Sequence, residues 1–348
     1  MLIKYVILLN IYKIFFLSLI SFSLLSNAKT DNTDDFKSLS YDKYLNGYDY
    51  PFKLQKYQFK SQEKNLEMIY MYLPAKNSDK GLVTLLHGKN FNGSHWKETA
   101  NLLHTIGYGV LIPDQIGFGK SSKPLDYQYS FEALANNTKN LLEHIGFTST
   151  QFIAHSMGGM LASRFGLMFP EVTKRIILVN PIGLENYLHY VEYKDINFFY
   201  RNELKLKPQN IIDYQKKNYY DGAWNDKYER LTWPLIGWIN GSDKNIIAKV
   251  SAKAYDMIFT GPVIEEFKYF KMPVSIIIGT RDRTGPGRNW KKVGVEYELG
   301  RYDNLGKKIK NRNPKINIIE LDGIGHVPQV EDFERYRKAL EVSLRYND

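Results

Sequence analysis

The chain has 348 residues, enough for one large core or one core with a modest insertion, and its apolar and charged fractions are those of a globular protein. It contains no cysteine, which excludes a disulfide scaffold and a thiolate site. The formal charge is +10, yet the basic residues are spread and no basic helix carries interleaved aromatics, so the reading expects a solvated basic face, one that meets anionic membrane surfaces, and no nucleic acid.

In chain order, the N-terminus comes first. Lys4 and Lys13 accompany the apolar run Ile14 to Leu25, and Ser26-Asn27-Ala28 places small residues at both positions that a cut after Ala28 requires. Charge, short apolar core and small-x-small predict a signal peptide over 1–28, and hence an exported protein, periplasmic or secreted. A membrane anchor is the competing reading, but the clean apolar part is roughly 12 residues, too short to span. Residues 29–48 are polar and read as a linker.

Short apolar runs then recur at Met68–Leu73, Leu82–Leu86, Val110–Ile112, Phe152–Ala154, Ile176–Val179, Val274–Ile278 and Ile316–Leu321. Several are continuous rather than alternating, as strands buried on both faces of a parallel sheet must be. Helices are predicted between them at Trp96–Ile106, Ser130–Ile145 (with Ser130 as N-cap and Gly146 as stop), Met157–Phe169 and Asp332–Tyr346. Strand-helix alternation predicts a doubly wound α/β sheet. The alternation breaks over 186–268, a stretch rich in Tyr, Trp and Phe without a buried-strand pattern. It reads as an inserted cap dividing the core into 49–185 and 269–348.

The chemistry concentrates where strands end. Phe152-Ile-Ala-His155-Ser156-Met157-Gly158-Gly159 reads as strand, sharp turn and helix, with the Ser156 hydroxyl pushed out at the turn. A serine needs a base, and the base needs an orienting carboxylate. His326 follows the run Ile316–Leu321 in the glycine-rich loop Asp322-Gly-Ile-Gly325-His326, at the sheet edge where α/β folds hold reactive groups. Asp282 follows Val274–Ile278, with Asp303 and Asp322 as weaker candidates for the acid. Oxyanion donors are expected from the Met157 N–H and from the N–H of Lys89 or Asn90, in the loop His87-Gly88-Lys89-Asn90. Gly88 allows close backbone approach, and His87 braces the loop. His155 is expected behind the turn, and His95, His104, His144 and His189 are given no role. Gly119-Lys120-Ser121 looks like the end of a phosphate loop, but Asp114 stands where that motif needs glycine. No metal-ligand spacing is present, and neither a metal nor a cofactor is expected.

With these motifs in place, the chain from about 50 to 348 resembles the α/β-hydrolase superfamily, in its cap-bearing branch. The resemblance is carried by His87-Gly88, Asp114-Gln-Ile-Gly-Phe-Gly-Lys-Ser121, the turn at Ser156, Asp282 and Gly325-His326. It implies a mostly parallel eight-stranded sheet with helices on both faces, a helical cap after the sixth strand, and the triad Ser156, Asp282, His326. Two departures stand out. Ala154 replaces the usual glycine, and the interval from Asp282 to His326 is long, with a basic segment at 300–312 that suggests an added helix near the site mouth. A serine rather than an aspartate at the turn implies acyl transfer on a small carboxylic ester or lactone with an apolar or aromatic part. A carbon–carbon bond hydrolase or an aminopeptidase of the same fold is the alternative, and a non-catalytic binding protein is the reading from another class.

Overall fold

A computed structural model describes residues 38–76 and 80–346. The segment read as a signal peptide and the first part of the stretch read as a linker lie outside the described residues. The sheet consists of β1 (Leu54–Ser61), β2 (Lys64–Leu73), β3 (Leu82–Leu86), β4 (Gly109–Pro113), β5 (Thr150–His155), β6 (Thr173–Val179), β7 (Val274–Gly279) and β8 (Asn317–Leu321). Their order across the sheet is β1-β2-β4-β3-β5-β6-β7-β8. β2 pairs antiparallel with β1 and β4, and every other pair is parallel.

The continuous apolar runs have a direct cause. Successive side chains of a strand face opposite sides of the sheet, and here both sides are covered. Phe152 and Ala154 of β5 enter one core layer and Ile153 the other, and Ile176 and Leu178 of β6 are divided in the same way from Ile177 and Val179. The first layer is closed by α2 (Phe131–His144) and α3 (Met157–Met168), the second by α1 (Lys97–Thr105) and α10 (Phe333–Arg345). Each fully buried aliphatic side chain contributes about 1.5–3 kcal/mol. The helix starts follow the capping rules, since Ser130 Oγ accepts from Ala133 N–H and the Asp332 carboxylate from Arg335 N–H.

β1 escaped the apolar-run reading. Its sequence, Leu-Gln-Lys-Tyr-Gln-Phe-Lys-Ser, alternates because it is an edge strand with one face in water.

Between β6 and β7, in the stretch read as a cap, the chain forms α4 (Ile196–Leu204), α5 (Pro208–Tyr219), α6 (Asp226–Arg230), α7 (Trp233–Asn240) and α8 (Lys244–Thr260). Aromatic faces join them. The Phe199 ring of α4 stacks on Tyr255 and Phe259 of α8 at 5.1 and 5.6 Å.

Two expectations need correction. Residues 39–48 are not a free linker. Tyr41 N–H donates to Gly237 O, Trp238 Nε1 donates to Asp42 O, and Leu45 is buried beside Trp238 and Ile247. A few apolar side chains spaced among polar ones are enough to strap this stretch onto α7 and α8. The added helix expected in the basic segment 300–312 is present as α9 (Tyr302–Arg312), but it covers the sheet, with Leu305 and Ile309 in the core. No residue from 300 to 312 lines the cavity beside Lys89 and Asn90 described below. Its Arg312 pairs with Glu265, and Lys308 Nζ lies 4.3 Å from the Tyr297 ring centre.

Candidate active site

The centre of the site is the junction of β5 and α3. Ser156 has φ = 55°, a left-handed conformation that costs a non-glycine residue strain and points its side chain out of the sheet. The next two glycines make the junction sterically feasible. A Cβ on Gly158 would stand 2.5 Å from Leu86 O, and one on Gly159 2.5 Å from Pro181 Cβ. Ala154 is fully buried in the first core layer, so a methyl group fits where the family usually has glycine.

Folding brings Ser156, Asp282 and His326 together from the ends of β5, β7 and β8. Ser156 Oγ lies 3.0 Å from His326 Nε2, and His326 Nδ1 lies 2.6 Å from Asp282 Oδ2. Because an ionised carboxylate only accepts, Nδ1 carries the proton, and the Nε2 lone pair faces the serine hydroxyl. His326 and Asp282 are both fully buried. Burial alone raises the Asp282 pKa, but the His326 ring and the hydrogen bonds from Thr284 and Asn180 outweigh it, and the net shift is downward. Thr284 N–H reaches Asp282 Oδ1 at 2.7 Å, and Asn180 Nδ2 reaches Oδ2 at 3.0 Å. Asn180 Oδ1 also accepts from Gly279 N–H, which ties the end of β6 to the acid loop. The sequence reading missed Asn180. The available signal was its position directly after β6, beside the two strands that carry the serine and the acid.

The alternative acids are engaged elsewhere. Asp303 pairs with Arg283 and Arg301, and Asp322 accepts from Thr280 Oγ1. His155 lies behind the turn, with Nε2 donating to His326 O at 2.9 Å. Burial, followed by its neighbours His326 and His95, holds its pKa well below the usual histidine range, so it is a neutral strut.

The loop after β3 approaches from the other side. A Cβ on Gly88 would be 2.9 Å from Ser156 Cβ, so the backbone of this loop runs against the serine. His87 Nδ1 donates to Gly88 O, and its Nε2 accepts from Gln115 N–H, bracing the loop in a fixed tautomer. The backbone N–H groups of Met157, Lys89 and Asn90 have no acceptor among the described residues. They come from the α3 N-terminus and from this loop, which puts donors on two sides of Ser156. The side chain of Lys89 turns away to Ser251 Oγ at 2.7 Å, with Glu203 at 3.8 Å and the Tyr255 ring at 3.8 Å. Asp114, the residue that rules out a phosphate loop, gathers Tyr50 OH, Gly93 N–H and Lys120 N–H on its carboxylate and shapes the turn after β4.

A cavity of about 310 Å³ begins at Lys89 and Asn90 and extends between Phe118 and the helices of the insertion. Ser156 is not on its wall. Tyr219, the last residue of α5, stands at the junction of the two. Its ring centre is 4.4 Å from that of His326, and its hydroxyl accepts from Asn90 Nδ2. The sequence reading did not single out Tyr219, because nothing local distinguishes it from its aromatic neighbours. No group of residues suited to hold a metal ion occurs among the described residues.

Known proteins share the fold. A family model described as alpha/beta hydrolase fold matches residues 81–291. The solved structure of a probable hydrolytic enzyme from Pseudomonas aeruginosa PAO1 superposes with a TM-score of 0.86 at 38% identity, covering 89% of this chain and 99% of that one. Lipase 1 of Psychrobacter immobilis is 26% identical over 74% of this chain and 77% of its own length. A putative carbamate hydrolase of Pseudomonas syringae pv. syringae (strain B728a) is 27% identical over 80% of this chain and 98% of its own length. The chain belongs to the α/β-hydrolase fold family and is a hydrolase of that fold.

Proposed function

We propose that the protein is a serine hydrolase that cleaves a small carboxylic ester or lactone through an acyl-enzyme on Ser156. The observation that carries the reading is the relay of Ser156 Oγ, His326 and Asp282 at 3.0 and 2.6 Å. As Ser156 Oγ bonds to the substrate carbonyl carbon, His326 Nε2 takes its proton. Asp282 holds the ring in the required tautomer and stabilises the imidazolium. The Met157 N–H, with the N–H of Lys89 or Asn90, receives the oxyanion. Collapse breaks the ester C–O bond, and the alcohol leaves with the proton from His326. Water, deprotonated by His326, then attacks the acyl carbon, and Ser156 recovers its proton as the acid departs. The cavity beside the loop has an apolar wall, which suits an apolar or aromatic substrate part, and the helical insertion acts as the cap that selects it. The lipase-named relative supports the ester reading.

The test joins covalent labelling to turnover. A fluorophosphonate reagent should label the wild type on Ser156, and Ser156→Ala should abolish the labelling and lower kcat on p-nitrophenyl esters by about 10³-fold or more without changing the melting temperature. Near-native turnover by the variant would refute Ser156 as nucleophile. Lactones, a carbamate and an aromatic dienoate in the same screen decide the bond type.

Lys4, Lys13, the run Ile14–Leu25 and Ser26-Asn27-Ala28 support export. N-terminal sequencing of envelope-derived protein should start near Lys29. An intact Met1 in the membrane pellet would favour an anchor.

A further inference from the structure

The cavity wall is uneven in its chemistry. Phe118, Ile211, Leu235, Trp238 and Ile247 make it apolar. At the Lys89 end the polar groups satisfy one another, since the ammonium is held by Ser251, Glu203 and the face of Tyr255. Gln215 differs. It lines the cavity and is 1% exposed, yet both its amide nitrogen and its amide oxygen lack a partner among the described residues. Trp290, also on the wall, has an indole N–H in the same condition. Buried amides are almost always paired, because losing water without gaining a partner is costly. A donor and an acceptor without partners on a residue that borders a cavity therefore mark where a ligand, seated with a small shift of the side chain, completes them.

The position of Gln215 ties it to the reacting centre. It lies on α5 (Pro208–Tyr219) four residues before Tyr219, so the two side chains share a helix face about 5–6 Å apart at Cβ. The Tyr219 ring lies tilted by 30° against that of His326, 4.4 Å between centres. Ile211, one turn earlier, continues the same face along the cavity.

We infer that Gln215 is a specificity-determining residue that hydrogen-bonds a hydroxyl or amide group on the apolar part of the substrate, with the Trp290 N–H as a second donor. The inference rests on the serine-hydrolase reading above and narrows its substrate class. The preferred ester is not a plain fatty acyl chain but one carrying a single hydroxyl or amide, held by a group that can both donate and accept. A wholly apolar chain would leave the buried amide of Gln215 unpaired and bind less well.

The experiment uses p-nitrophenyl octanoate and a set of its analogues bearing one hydroxyl at successive carbons. Binding to full-length Ser156→Ala protein is measured by calorimetry, so the result does not depend on turnover. One hydroxylated analogue should bind roughly tenfold tighter than the plain ester, the size of one neutral hydrogen bond made in place of an unpaired group. Adding Gln215→Leu or the more nearly isosteric Gln215→Met should erase that gain while the plain ester binds as well or better. In the Ser156-intact enzyme the same substitutions should raise KM for the hydroxylated ester and leave kcat and fluorophosphonate labelling unchanged. Equal binding of all analogues, or a gain that survives both substitutions, would overturn the inference and leave water as the partner of Gln215. Loss of labelling and turnover in the wild type would instead overturn the hydrolase reading, and the calorimetry would still decide the role of Gln215.

Discussion

The sheet and the helical insertion solve different problems with the same kinds of residue. In the sheet, Phe152 sits on β5 with both neighbouring strands hydrogen-bonded to it, and its ring meets Phe165 at 4.6 Å inside a closed layer. In the insertion, Phe199 is also buried and packs against Tyr255, Phe259 and Trp290, but it borders the cavity. Hydrogen bonding differs in parallel. The acid, the base and the loop around them are tied by Asn180, Thr284, His155 and His87, whereas Gln215 in the insertion is left open. On the proposed function, chemistry that needs sub-ångström placement is built on strand ends, and selection is built where a wall can change without moving the reacting atoms.

The sharpest way to break this division is at the acid. Asp282→Asn keeps the size of the side chain but offers an amide to His326 and allows the wrong tautomer. It should lower kcat by roughly 10²- to 10⁴-fold, with KM nearly unchanged, in steady-state assays. A loss below about fivefold would mean that the buried relay does not run through Asp282.

The paired phenylalanines come next. Phe152→Ala should cost about 3–5 kcal/mol in urea unfolding, because the closed layer cannot collapse around the void. Phe199→Ala should cost less, since it borders a cavity that already exists, and should raise KM severalfold. Equal stability losses with unchanged KM in both variants would show that the insertion is simply more core.

The smallest effect lies at the seam. Lys123 is buried, its ammonium donates to Gly119 O and Ser121 O, and it lies 5.2 Å from the Trp238 ring centre of the insertion. Burial pushes its pKa down to about 7, against the attraction of Asp114. The folded pKa is below the unfolded one, so between about pH 7 and 10.5 the unfolded chain holds more protons and stability rises with pH. Relative to Lys123→Met, the wild type should gain stability between pH 7 and pH 9.5 in paired unfolding curves. A pH-independent difference would show that the charged form is fully compensated at the seam.

Much of the core was legible in the sequence, because burial on both faces forces continuous apolar runs and the strand ends then mark reactive loops. Ser156, His326 and Asp282 stood out by chain order together with residue type. β1 did not, since an edge strand needs only one apolar face, and neither did the packing of residues 39–48, where isolated side chains such as Leu45 insert between helices distant in sequence. Asn180, Tyr219 and Gln215 were equally silent. An asparagine after a strand, one tyrosine among many and a glutamine in an amphipathic helix have no local mark of function.

The sequence by itself determined the order of elements, the strained serine turn with its paired glycines, and a serine, a carboxylate and a histidine at strand ends, since these depend on neighbours a few positions apart. Only the tertiary structure decided which aspartate faces His326, how the oxyanion loop lies against Ser156, and which buried amide is left without a partner. The first of these joins residues 44 positions apart in the chain, and all three are set by how eight strands and the helices above them pack, which no local pattern encodes.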